Sequence, residues 1–180
     1  MDANRKSREK LFKKHGFEDF KWLDPKDIAV AQWVRMKCVW GCPNYGKQAC
    51  CPPNAPSVEE CARFFSEYKS AAVFHFAEKM ERPEYRHDWT NRINKRLSKL
   101  ERDVFLAGNH KAFLLFMDSC HICGDCVTER ALCKNKISAR PAPEALTVDV
   151  FSTVRKLGYP IEVLSDFSQR MNRYAILLIE

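Results

Sequence analysis

The chain has 180 residues, 46% hydrophobic and 29% charged, with a formal net charge of +7. That is enough apolar material for the packed core of one domain, expected over residues 1–180. No stretch approaches the roughly 18 to 20 uninterrupted apolar residues of a membrane span, and the N-terminal segment is charged rather than signal-like, so a soluble cytoplasmic protein is expected.

In chain order, residues 4–15 read as a polar helix ended near Gly16. It carries Arg5, Lys6, Arg8, Lys10, Lys13 and Lys14 against Asp2 and Glu9, so residues 1–20 form a basic helical extension that holds most of the excess charge. Asp24 before Pro25 has the form of an N-cap with proline at the first helical position, predicting a helical segment through Trp33. A first cysteine-rich stretch follows at 38–53, where prolines and glycines predict a fixed, non-helical loop. Ser57-Val58-Glu59-Glu60 is a capping box opening an amphipathic helix to about Tyr68, with Val58, Cys61, Phe64 and Phe65 on one face. Cys61 therefore has a core role available to it.

Residues 71–76 form an apolar run of strand length, and 84–107 a long helical pattern closed by Gly108. Residues 112–117 give the strongest strand signal and run into a second cysteine loop at 118–140. Residues 143–157 read as helix, and 161–164 and 174–179 as strands. Helices between strands imply crossover connections. The expected class is α/β or α+β, with a mostly parallel or mixed sheet of about four strands covered by helices and two cysteine-rich cluster-binding loops. There is no useful internal repeat and no low-complexity segment.

Nine cysteines without a signal peptide point to metal rather than disulfides, and their odd number agrees. Cys120, Cys123 and Cys126 are spaced by two residues, with Cys133 six residues further on. Three closely spaced thiolates can each take a different iron of a 4Fe-4S cubane, and a distant fourth completes the set. Gly124 fits the tight turn such a loop needs. Zinc is the alternative, although structural zinc sites favour two separated pairs.

The first loop places Cys38, Cys42, Cys50 and Cys51 within fourteen residues. All four could hold a second cluster, or one of the adjacent pair could be a bystander. Adjacent thiolates on one cubane strain the backbone, which ranks Cys38 and Cys42 above Cys50 and Cys51. A third arrangement is an exchange, in which a cysteine followed by proline, here Cys51-Pro52, completes the cluster begun by the other loop. A single cluster on the second loop, with the first-loop thiols simply packed, also remains open.

Among other residues, His121 reads as a hydrogen-bonding or solvated neighbour rather than a ligand, His75 as a satisfied core or edge histidine, and His87 and His110 as surface. Trp40 and Tyr45 lie in the first loop, where they either exclude water from a cluster or pack. No nucleophile–base pair, phosphate loop or HExxH motif occurs, so no catalytic residue is assigned.

Residues 38–53, then 120–133 with Arg140-Pro141, Glu144-Ala145 and Val148-Asp149-Val150, resemble the predicted metal-binding proteins grouped as domain of unknown function 2284. The resemblance extends over nearly the whole chain after about residue 20 and implies a metal, iron–sulfur by preference, without assigning a reaction. It requires only the cysteine before the prolines, leaving the role of Cys50 open. The expected function is an iron–sulfur redox protein with one or two 4Fe-4S clusters that exchanges electrons with a redox partner protein. The alternatives are an enzyme with an open cluster iron and a zinc-stabilised binding module. Nucleic acid is not expected as a partner, because thiolate-held clusters offset part of the positive charge.

Overall fold

Alternation along the strands decides the architecture. In β2 (Ala71–Glu78), Ala72 and Phe74 join one buried cluster while Ala71 and Val73 join another. In β4 (Met171–Leu178), Ala175 and Leu177 go to the first and Tyr174, Ile176 and Leu178 to the second. Both faces of the sheet are therefore covered. The computed structural model describes residues 3–80, 82, 84–166 and 169–180.

With β1 (Phe20–Leu23) and β3 (Phe113–Leu115), the four strands stand in the order β1-β2-β4-β3, each antiparallel to its neighbour. Five α-helices accompany them: α1 (Ala3–Lys14), α2 (Gln32–Gly41), α3 (Val58–Ser66), α4 (Tyr85–Leu106) and α5 (Val150–Lys156). The fold is thus α+β with four strands, but the sheet is antiparallel throughout, not mixed or mostly parallel. The crossover itself was read correctly: β2 and β3, joined through α4, both oppose β4 and so run parallel to each other. What local pattern does not reveal is that β4 enters between them.

One layer is formed by α1 and α4, which bring Phe12, Ile93, Leu97, Leu100 and Val104 against Phe74, Leu114 and Leu177. Phe12 is fully buried, and Arg8 on the same helix bonds the Asn109 side chain and the Glu180 carboxylate, each at 2.8 Å. The opposite layer carries α3 and α5, where Cys61 is 1% exposed among Phe65, Val148 and Val154. Cys61 is a core residue. Among the described residues no helix is long and apolar enough to cross a membrane.

Three elements depart from expectation for tertiary reasons. Asp24 does cap Pro25, but only a single 3-10 turn, Pro25–Asp27, follows. The chain then extends to bridge Val30 with Val148, with Asp149 N donating to Ala29 O at 2.7 Å, and becomes helical again at Gln32. The strand at 112–117 pairs over three residues only, because Phe116 N donates to Pro141 O and Met117 N to the Asn94 side chain. The helix expected at 143–157 breaks at Thr147, whose φ is 60°, and restarts under an Asp149 cap. Residues 161–164 form no strand, whereas β1 gave too short an alternation to be recognised.

Candidate metal centre

Both cysteine loops start from fixed necks, the first at the end of α2 and the second at the sheet. The second emerges from the edge strand β3, whose outward N–H groups find no further strand. Side chains of α4 take them instead: Glu101 accepts from Leu114 N at 2.9 Å and Asn94 from Met117 N at 3.1 Å. The same Glu101 carboxylate, 7% exposed, pairs with Arg140 Nε at 2.8 Å and holds the returning end of the loop. A buried carboxylate with a guanidinium and a backbone donor is satisfied twice, which makes this neck rigid.

The first loop is anchored through Arg35 on α2, whose Nη2 donates to Pro56 O at 2.8 Å and Ala145 O at 3.1 Å. Inside the loop Gly46 N donates to Pro52 O, Cys51 N to Gln48 O and Asn54 N to Cys51 O, with Gly46 in the left-handed region at φ 72°. Gly124 lies in a bend of the second loop with φ outside the left-handed region, and a Cβ there would meet nothing within 4 Å.

Asn54 clamps the two loops together. Its amide donates to Thr128 O at 2.6 Å and its carbonyl accepts from Arg130 N at 3.2 Å. The clamp brings the cysteines of separate loops into one region. Cys50 and Cys120 come together from the two segments, and both pack against Ala49, Cys133 and Ala139. Cys51 is under the influence of Cys38 and Cys42 on one side and Cys120 and Cys126 on the other. Cys38 is helical, not in a loop, and Cys42 caps the same helix one turn later, so both thiols leave α2 near its C-terminal end. Cys123 accepts from the Asn135 amide at 2.9 Å. All nine cysteines are free of disulfides.

Cys38 and Cys42 were ranked above the Cys50-Cys51 pair because adjacent thiolates on one cubane strain the chain. In the fold Cys50 packs with Cys120 and Cys133, while Cys51 lies within the field of both groups, Cys38 and Cys42 as well as Cys120 and Cys126.

The electrostatics show what the site lacks. Burial pushes the Cys51 thiol up to about 12, and the nearby Cys38, Cys42, Cys120 and Cys126 push the same way. Cys38 is raised by burial and then by Cys42, with Arg35 opposing. Cys50 is raised because its proton is shared with Cys120, and Cys120 is lowered by that bond, helped by the Ile122 and Arg140 amides and the Arg130 charge. Thiols crowded in this way resist joint ionisation until a cation joins them.

Among the described residues, no three His, Cys, Asp or Glu side chains converge closely enough to share one metal ion. A cubane asks for something else: four thiolates, each on its own iron. Eight thiols on two pinned segments, the end of α2 with the loop after it and the loop after β3, suit such a soft, polynuclear group in donor chemistry.

His121 bonds the Ser119 hydroxyl at 2.9 Å and sits 4.3 Å from the His87 ring, with its pKa lowered by burial and then by His87. His75 is satisfied on both nitrogens, by Asp19 at 2.6 Å and Asn172 at 2.8 Å. Trp40 is 81% exposed and so does not pack into the core. The positions that reading the sequence missed are Asn54, Arg130 and Asn135, each an ordinary polar loop residue by type. Only the Asn54 position after Pro52-Pro53 hinted at a turn.

Residues 21–179 match the family described as Predicted metal-binding protein (DUF2284). Neither a curated protein nor a solved structure matches the chain.

Proposed function

Because this chain belongs to the DUF2284 family of predicted metal-binding proteins, we propose that it is an iron–sulfur redox protein carrying one or two 4Fe-4S clusters. It exchanges single electrons with a partner protein. The observation that carries this reading is the clamping of the two cysteine segments through Asn54, which sets Cys50 of the first beside Cys120 and Cys133 of the second.

Cys120, Cys123, Cys126 and Cys133 form the first ligand set, from their spacing, and Cys38, Cys42, Cys50 and Cys51 supply the second. The contact of Cys50 with Cys120 and Cys133 favours an exchange of ligands between loops over two separate sets. A bound cluster supplies one-electron exchange at a potential set by burial and by hydrogen bonds to its sulfurs. The protein's own groups act on that environment. The Asn135 amide donates to the Cys123 sulfur, the Ile122 and Arg140 amides support negative charge on Cys120, and Arg130 offsets charge on Cys50 and Cys120.

The test is electron paramagnetic resonance of anaerobically prepared protein, reduced with dithionite. A reducible cluster signal that disappears in Cys120→Ser is expected. A protein binding only zinc, with no reducible centre, contradicts the proposal.

A further inference from the structure

Beside Cys50 the two loops leave a cavity of about 290 Å³, at the small end of ligand pockets. Its walls differ in chemistry. Phe64 and Phe113, edge to face at 5.3 Å between centroids, form an apolar side with Ala55 and Leu146. Asn54, Arg130 and Arg140 form the other side.

The two arginines are not equivalent. Arg140 is committed to the Glu101 carboxylate at 2.8 Å and to the carbonyls of Ile137 and Ala139. Arg130 gives one Nη2 bond to Lys136 O at 3.0 Å. Its Nη1 is buried with no hydrogen-bond partner among the described residues, and no carboxylate there lies within ion-pair distance. A guanidinium is a planar fork suited to a carboxylate, and leaving one of its buried donors unmet is unfavourable. Cys50 and Cys120 lie within its field but present single sulfurs, which do not match that fork.

We infer that this cavity binds a small organic carboxylate with an apolar or aromatic body, its carboxylate on Arg130 and its body between Phe64 and Phe113. A half-buried cation with one unmet, water-shielded donor on one wall selects an anion, and the aromatic wall selects against a fully hydrated one such as phosphate. The site stands beside Cys50 but does not require a cluster, so it goes beyond the redox reading and can fail separately from it.

The test is calorimetric titration of the anaerobically purified full chain with benzoate, benzyl alcohol, acetate and inorganic phosphate, with iron content measured on each sample. Saturable benzoate binding is expected, with benzyl alcohol and acetate each about tenfold weaker or more, since each lacks one half of the recognition. Arg130→Gln weakens benzoate by at least about tenfold, and Arg130→Lys restores only part, because an ammonium keeps the charge but not the fork. Ala55→Phe, which fills the cavity without touching the charge, abolishes binding and guards against a fold defect in the arginine variants. Absence of saturable benzoate binding, equal binding by Arg130→Gln, or phosphate binding as tightly as benzoate overturns the inference. Iron content of the unsubstituted chain is read on its own, so failure of benzoate binding there leaves the cluster proposal untouched.

Discussion

The sheet and the cysteine region are held together by opposite means. In the sheet, Phe74, Leu97, Leu100, Leu114 and Leu177 are fully buried on one face and Val73, Val154 and Ile176 on the other, so burial of apolar surface dominates. In the cysteine region the packed cluster is only Ala49, Cys133 and Ala139 with a few half-buried neighbours. Order there comes from polar pins: Asn54 across the loops, Arg35 at one neck, and Arg140 with Glu101 at the other. The thiols they gather repel one another's charges. The sheet is therefore a fold complete in itself, and the cysteine region is a frame that a cation completes.

Four substitutions and a titration sharpen that contrast. The largest effect on folding is expected at the sheet: Phe74→Ala costs about 3–5 kcal/mol, read by denaturant unfolding, whether or not metal is present. Cys120→Ser is expected to abolish iron binding while leaving far-ultraviolet circular dichroism of the sheet and helices intact. Collapse of the whole fold in that variant would erase the distinction between frame and core. Asn54→Ala, which frees Thr128 O and Arg130 N, is expected to cost about 1–3 kcal/mol and to raise amide hydrogen exchange in both loops but not in β2 or β4. Cys61→Ala is expected to retain full iron, with a modest stability loss, since Cys61 belongs to the sheet's core.

The smallest effect is a pH dependence of the metal-free protein. The Cys51 thiol is raised from 9.0 to about 12 in the fold, so the folded state holds its proton more tightly than the unfolded one. Its contribution to stability is fully present below pH 9 and is lost as pH rises from 9 toward 12. Denaturant midpoints at pH 8 and above pH 10 should separate, and Cys51→Ala should narrow the separation. An unchanged gap in the variant would place the effect elsewhere.

The same division governs what reading the sequence could reach. Elements specified by local signals were legible: the Ser57 capping box, the long pattern that became α4, and the apolar runs of β2 and β4. Elements specified by distant partners were not. The insertion of β4 between β2 and β3, the break at Thr147 and the extended bridge at Val30 all depend on contacts far along the chain. At the candidate site the cysteines announced themselves by type and spacing. The packing of Cys50 beside Cys120 and Cys133, and the clamp through Asn54, follow from how two segments distant in sequence dock, and no spacing encodes that.

The central claim is that the cysteine frame holds an iron–sulfur cluster. The most direct measurement is the iron, zinc and acid-labile sulfide content of protein purified without oxygen. The account predicts about four or about eight irons per chain, matched by equal sulfide and lost in Cys120→Ser. Stoichiometric zinc without sulfide, or iron retained in full by Cys120→Ser, would contradict it.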